Sequence, residues 1–499
     1  MERVDPATVG FFIVVYVAIQ IGIGLWVARG VKTEEDFFLA GRSLGLIPIG
    51  LSIFATWFGA ETIMGSAGAI ASEGLSGARA EPFGYAVCLL VMAFTISGVF
   101  RARGYRNLAD FFRDRFDHRS ELATAIITIV VSTIWAAAQL LALAALLESA
   151  LGVPAQFTLI GATVVVVLYT SFAGIAGDIY TDVIQAVVLI IGLLFVLFAL
   201  ASRMGGFGPM LATIEPSQLK LLGTGETWLG QLDAWAIPVL GSLVTQEAIA
   251  RFLSTRTPQL ARNSTLAAAA LYLLLGMVPV IIALAGVHYH PAGDDADAFL
   301  PALASEILTP ALYILFAGAL LSAVMSTTNS NVLSVSSMMS LNVLTHLHDS
   351  ASPKLRVQVA RWTTVGAGIA AWAIASSGQT IYELIALTSV WGQAGILVAV
   401  LIGLWSPYGG VRAALWAILV CVAVNLWTLA VAPVLALLGE GATLGAAMTQ
   451  LVAGEAPTME GYFLASLAAS LIAYVAGAEV DKHAARRTLP PTQTSPDAS

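Results

Sequence analysis

FATWFGAETIMGSAGA, residues 54–69, is the stretch on which the fold turns. It sits inside an apolar run from about 45 to 72 that is long enough to cross a bilayer, whose hydrocarbon core asks for about 20 residues of helix. Yet glycines, hydroxyls and Glu61 fall near its middle. Non-helical backbone at membrane depth persists only where protein or a water-filled cavity covers it, because an unsatisfied peptide group in hydrocarbon costs several kcal/mol. A carboxylate at that depth likewise points to a cavity or a partner. The segment therefore reads as an interrupted membrane helix. PVLGSLVTQEAIAR, residues 238–251, has the same character, with Glu247 in place of Glu61. Matching interruptions in two halves mark inverted repeats around a midplane binding site. The plainer reading of the glycines, close helix packing, explains them singly but leaves the two carboxylates without a reason.

Composition supports a membrane setting throughout. Of 499 residues, 58% are hydrophobic and only 11% charged, and the mean hydropathy is +0.85. A soluble domain carries about 25% charged residues, so a soluble enzyme is excluded. No basic patch interleaved with aromatics suggests nucleic acid. Cys88 and Cys421 lie in apolar runs and read as small buried hydrophobes without a disulfide. The N-terminus lacks the basic region of a signal peptide, so the first apolar run is expected to remain. The tail after Val480 is polar and rich in Pro, Ser and Thr, which predicts a disordered end too short for a soluble output domain.

Outward from residues 54–69, apolar runs predict about thirteen transmembrane helices: 9–29, 45–72, 82–101, 120–150, 155–174, 180–203, 227–253, 263–288, 299–345, 356–377, 381–405, 411–438 and 457–478. The ninth is too long for one span. With the N-terminus outside, only Arg3, Arg79, Arg203 and Lys220 fall in outer loops, leaving 19 of the 23 Lys and Arg cytoplasmic. Such a bias sets orientation, so the N-terminus is expected outside and the C-terminus inside. The division that follows is an N-terminal extra helix and loop (1–44), a first five-helix repeat (45–205), a second (206–405), two C-terminal helices (406–480) and a disordered cytoplasmic tail (481–499).

The ninth helix carries the chemistry. FAGALLSAVMSTTNSNVLSVSSMMSLNV (316–343) loads one span with Ser322, Ser326, Thr327, Thr328, Asn329, Ser330, Asn331, Ser334, Ser336 and Ser337. Neutral oxygens suit a hard monovalent cation, since they replace its hydration shell. The competing reading is Ser/Thr hydrogen bonding between helices. Soft-metal sites are not expected: His288, His290, His346, His348 and His483 fall in loops or the tail, HYH and HLH have no clustered Cys or carboxylate at ligand spacing, and His118 sits in a basic loop. No nucleotide-binding loop, nucleophile elbow or HExxH appears, so no enzyme is expected.

Three segments, DFFLAGRSLG (36–45), FAGIAGDIYTDVIQ (172–185) and SAVMSTTNSNVLSVSS (322–337), make the chain resemble the sodium:solute symporter family, which includes bacterial proline symporters and the choline transporters. The resemblance runs from about 10 to 480 and implies the leucine-transporter-like fold of inverted five-helix repeats. It implies Na⁺ as the co-transported ion, held by the Ala55, Phe58 and Ala323 carbonyls and the Ser326 and Thr327 hydroxyls. Asp182 matches an acidic residue on the inner ion path; its plainer role is a charge at a helix N-terminus. ATWFGAETIMGSA (55–67), EPFGYAVCLL (81–90) and WAAAQLLALAA (135–145) are similar to the choline-transporter branch. They imply Trp57, Tyr85 and Trp135 near a solute, as aromatic faces suited to an ammonium; Gly59, Glu61, Thr245, Gln246 and Glu247 of the two interrupted segments are expected to complete the solute site. Two cage tryptophans of that branch are replaced here by Thr245 and Ile385, and Trp57 stands where proline symporters carry an acid. The expected function is Na⁺-coupled import of a small polar solute (amino acid, zwitterion or amino compound) across a bacterial inner membrane by alternating access. Its partners are the solute and the lipid bilayer; the sequence carries no sign of oligomeric state. Proton coupling, motivated by Glu61 and Glu247, and a non-transporting sensor of the same fold are the alternatives.

Overall fold

A computed structural model describes the chain except residues 1–5, 79, 224, 294–295, 348–351, 378–383, 385–387, 389–391, 441, 453–459 and 489–499. The described residues are all-helical. Ten of their helices are long and apolar enough to cross a membrane, and the shorter apolar helices Leu46–Trp57 and Gln393–Trp405 add to them.

In chain order the elements that matter are α1 (Pro6–Ala28), α2 (Glu34–Leu39), α3 (Leu46–Trp57), α4 (Ser66–Glu73), α5 (Tyr85–Met92), α6 (Leu108–Arg115), α7 (His118–Leu151), α8 (Ala155–Arg203), α9 (Trp228–Ala236), α10 (Gln246–Leu253), α11 (Pro258–Gly286), α12 (Phe299–Ile307), α13 (Pro310–Met338), α14 (Pro353–Ala375), α15 (Gln393–Trp405), α16 (Val411–Leu426) and α17 (Tyr462–Thr488). The polar helix α13 runs through the middle, packed on α7 and α8. In its membrane window 67% of residues are buried, against 11% for α1. That contrast places α13 in the interior and leaves Phe11, Phe12 and Trp26 of α1 exposed. A helix whose hydroxyls must avoid lipid belongs at the centre of the bundle.

Two expected boundaries change. Helices five and six stand as the two spans Ala155–Phe172 and Gly174–Arg203, but without the loop expected near 175–179: they follow one another directly within α8, separated only by a sharp break at Gly174 (φ 58, ψ −167). Only glycine adopts that backbone readily, and a Cβ there would lie 2.8 Å from the Phe37 carbonyl oxygen. The long ninth segment divides into α12 and α13, because Leu308 is extended and Pro310 opens the new helix; proline suits the first turn, where no N–H is needed.

The basic loops assigned to one side meet on one face. Arg42 donates to the Gly104 carbonyl (2.8 Å), Arg101 to Thr255 (2.6 Å) and Arg256 to Ser43 (2.5 Å). Glu34 binds both Arg106 (3.3 Å) and Arg356 (3.2 Å). Arg251, counted with these loop cations, is a correction: it belongs to α10 and is fully buried.

Replacing Gly174 by Ala should therefore destabilise the fold by about 1–3 kcal/mol, the usual cost of forcing a side chain into that region. Gly161→Ala, whose Cβ meets no atom within 4 Å, serves as the comparison. A lower thermal midpoint in detergent for the first and none for the second is expected; equal midpoints would contradict the kink.

Candidate functional site

Helix α3 stops at Trp57, where Phe58 (φ −78, ψ 63) leaves the helical region. The Gly59 N–H donates to the Trp57 carbonyl (2.8 Å) rather than to the Ala55 carbonyl that a continued α-helix would use. A wide π-type turn, Glu61–Gly65, then leads into α4. The break lies directly against α13: a Cβ on Gly59 would sit 2.7 Å from Thr327 Oγ1 and 3.2 Å from Gln139 Oε1 of α7. Glycine is required here because two polar side chains approach the backbone itself.

The second expected interruption is equally present. After α9 and a π-type turn at Ile237–Gly241, residues 242–245 are non-helical and α10 starts at Gln246. Glu247 falls in the first turn of α10, where the exposed N–H ends favour a negative charge. Its Oε1 accepts from Trp57 Nε1 at 3.3 Å, so the two breaks face one another.

Around them is a cluster of rings and carboxylates. Trp57 and Tyr85 are 5.5 Å apart, Tyr85 and Tyr272 6.1 Å, and Phe58 and Tyr272 5.4 Å between ring centroids. Tyr85 Oη donates to Glu61 Oε1 at a long 3.4 Å. Tyr272 Oη donates to Glu81 Oε2 (2.7 Å), and Thr62 Oγ1 to Glu81 Oε1 (2.8 Å). Among the described residues, no Lys or Arg forms an ion pair with Glu61, Glu81 or Glu247. Buried acids normally recruit a cation or coordinate one, so this cluster is unbalanced toward negative charge.

Trp135 and Gln139 sit one turn apart on α7 and so share a face. Trp135 Nε1 and Gln139 Oε1 are both buried without a hydrogen-bond partner. Thr245 is buried with its hydroxyl on the Ser242 carbonyl (3.1 Å). Gln246 faces elsewhere, accepting from the Leu108 N–H (2.9 Å) at the start of α6. Ile385 lies outside the described residues.

Of the cation-ligand set expected from sequence, Ala323, Ser326 and Thr327 are buried residues of α13. The Thr327 hydroxyl donates to the Ala323 carbonyl (3.2 Å) and the Ser326 hydroxyl to Asp182 Oδ1 (2.5 Å). Each hydroxyl has thus spent its proton elsewhere and keeps lone pairs for a cation. Hydroxyl and carbonyl oxygens of this kind are neutral, a chemistry that suits Na⁺ rather than a divalent ion. Asp182 is not a helix-end charge, for it lies two turns beyond the Gly174 kink in α8. It accepts from Ser52 (2.5 Å) and from Arg251 (3.3 Å). Arg251 also binds Asp178 (2.5 Å) and the Ser330 hydroxyl.

Sequence reading missed Glu81, Tyr272, Thr62, Gln139, Asp178 and Arg251. Glu81 carried the same signal as Glu61, a carboxylate in an apolar run. Asp178 preceded Asp182 in the quoted motif, one helical turn away on the same face.

The sodium:solute symporter family model matches residues 37–450. High-affinity choline transporter 1 of Drosophila melanogaster is 30% identical over 408 residues, covering 78% of this chain and 64% of the relative. The human high affinity choline transporter 1 is 28% identical (76% and 69%). The sodium/glucose cotransporter of Vibrio parahaemolyticus is 27% identical (78% and 79%). The chain thus spans just under two thirds of the fruit-fly transporter's length. Among solved structures, a Na⁺-coupled sialic acid symporter in a substrate-bound outward-open state matches with a TM-score of 0.76 at 19% identity, covering 95% of this chain and 98% of that one. A nucleobase-cation-symport-1 family transporter in a closed conformation matches with a TM-score of 0.55 at 14% identity, covering 90% and 95%. At these identities the structural likeness is one of fold.

The contact between the first break and α13 can be tested by a double-mutant cycle. Gly59→Ala should lower the thermal midpoint through overpacking of about 1–3 kcal/mol, and Thr327→Ala on top of it should restore much of the loss. Strictly additive effects would show that the two positions do not touch.

Proposed function

The chain belongs to the sodium:solute symporter family, and from that premise we propose that it couples inward Na⁺ movement to import of a small solute bearing an amino or quaternary ammonium group. The observation that carries this reading is the seating of the α3 break on Thr327 of α13. There the Ala55, Phe58 and Ala323 carbonyls and the Ser326 and Thr327 hydroxyls would hold the ion. Because the ligands come from both the broken helix and α13, the ion would favour the arrangement in which the two are together. A ligand shifts a conformational equilibrium only by such differential affinity.

The solute class rests on the second cluster. Trp57, Tyr85 and Tyr272 offer ring faces, and Glu61, Glu81 and Glu247 supply negative charge. A cation over aromatic faces gains about 0.5–2 kcal/mol, more when desolvated. Trp135, Gly59, Thr245 and Gln246 complete the proposed surroundings, Gln246 from behind α10. That the relatives include choline transporters supports the ammonium, while Thr245 in place of a cage tryptophan favours an amino compound or zwitterion over choline itself. Asp182 would guide the ion toward the inner face.

The architecture proposed is thirteen spans with the N-terminus outside and the C-terminus inside. The broken pair α3–α4 and the helix through α5 count separately, and α14 and α15 join the ten long helices. Repeats at 45–205 and 206–405 then follow the segment 1–44 and precede the C-terminal helices of 406–480; the tail expected to be disordered from 481 is corrected in its first part, because α17 continues to Thr488. The clustering of basic loops on one face supports that orientation, and a bacterial inner membrane is the proposed location. Each Na⁺ carried inward would gain about 2.3 kcal/mol per 100 mV.

Purified protein in proteoliposomes with an inward Na⁺ gradient should accumulate one of a panel of labelled amino compounds, zwitterions and quaternary amines. Ser326→Ala/Thr327→Ala should reduce that uptake by about tenfold or more, since each oxygen lost to a charged partner is worth about 1.5–3 kcal/mol. Uptake indifferent to Na⁺ but abolished by a protonophore would replace this reading with proton coupling through the three buried carboxylates.

A further inference from the structure

The expectation that no histidine has ligand-forming neighbours fails at the face where the basic loops meet. His118 is the first residue of α7 and Glu121 lies one turn further on. His346 is on the short helix Leu344–Leu347 that continues α13. His346 is 225 residues beyond Glu121 in sequence and on a different helix, so spacing gave no sign that it joins the His118–Glu121 pair. In the fold they converge. His118 Nδ1 is 3.1 Å and His346 Nε2 3.7 Å from the same oxygen, Glu121 Oε2. All three atoms lie within 4.8 Å of one another, and the two rings meet edge to face at 5.4 Å and 85°.

We propose that His118, Glu121 and His346 form a binding site for a divalent first-row transition metal, Zn²⁺ foremost. Bonds of about 2.0–2.1 Å in a tetrahedron place ligand atoms about 3.3 Å apart. Two of the three separations already bracket that value, and the third closes by rotation of side chains that are not confined: His118 is 73% exposed and His346 24%. Glu121, in contrast, is 1% exposed and held in place. Its other oxygen accepts from Asn342 Nδ2 (2.7 Å) and Arg113 Nη1 (3.2 Å). A carboxylate with one oxygen fixed by outer partners and the other turned to two imidazoles has the construction of a metal site. Two imidazoles and a carboxylate select Zn²⁺, Co²⁺ or Ni²⁺ over Ca²⁺ and Mg²⁺, which prefer oxygen alone. Arg113 does not cancel the site's charge, because Asp110 (3.0 Å) shares it. The exposed side of His118 leaves the fourth position to water. The ion would tie the first turn of α7 to the end of α13, the two helices that carry Gln139 and Thr327, at a place distant in sequence from both.

The test uses the full chain in detergent after stripping with a chelator. Equilibrium dialysis against Zn²⁺ should give one equivalent per chain, and Co²⁺ should give the intense visible band of a tetrahedral complex. His118→Ala and His346→Ala should each weaken binding by about 100-fold and abolish the band. His483→Ala, far along α17, should change neither, and excess Ca²⁺ or Mg²⁺ should not displace the ion. Both site histidines are exposed, so metal-free thermal midpoints should match wild type; if one variant unfolds, the other decides, with His346→Gln as a third. No Zn²⁺ binding by the wild type, or binding unchanged in the folded variants, would overturn the proposal. Neither result touches the transport reading, which is measured by uptake.

Discussion

Every peptide group at membrane depth must find a partner inside the protein, and the interrupted helices α3 and α10 are the places where this chain does not meet that demand with helix alone. The rest of the structure is arranged around the deficit. The Gly59 N–H turns to Trp57, and the Thr62 and Tyr272 hydroxyls, whose protons go to Glu81 at 2.8 and 2.7 Å, lie 3.2 and 3.3 Å from the Trp57 carbonyl. A break facing lipid would be untenable. This one is enclosed because α13, the helix rich in hydroxyls, is itself packed inside the bundle against α7 and α8. The same constraint explains α13's composition: serine and threonine at successive turns bond back to carbonyls four residues earlier, as Ser330 does to Ser326 and Ser334 to Ser330, and so remain tolerable in an apolar setting.

The membrane-spanning helices were legible because apolar length is a strong signal, and the two breaks were legible because glycine beside a carboxylate has no place in an ordinary span. What the sequence could not show is which polar groups meet. Asp178 and Arg251 are 73 residues apart and fall by sequence in a short connection and a basic loop; they are joined because helix resumes directly after the Gly174 break and α10 turns Arg251 inward. Glu81 and Tyr272 pair across 191 residues, and a lone tyrosine in LAAAALYLLLGM gives no sign of it. Periodicity reports which face of a helix is buried, not what it is buried against. The histidine–glutamate cluster was missed for that reason: ligand spacing along one element is readable, whereas ligands on two elements are not.

The buried Asp178–Asp182–Arg251 group gives the ion site its electrostatic setting. Two carboxylates share one guanidinium, and isolated charges in such a medium are very costly unless neutralised. Ser326 connects this group to the proposed ion ligands, since its proton is committed to Asp182 and it adjoins Thr327, which the break rests on. A cation accepted by Ser326 would sit within one hydroxyl of the surplus negative charge. It would then balance the group without any carboxylate entering its coordination shell. That separation matters for release. A carboxylate bound directly would raise affinity in every conformation alike, and uniform affinity shifts no equilibrium. A neutral oxygen set assembled from two helices, with charge one bond behind it, binds well only while the helices remain together. Weak intrinsic binding backed by long-range attraction would therefore let an ion at the proposed site both close it and leave it.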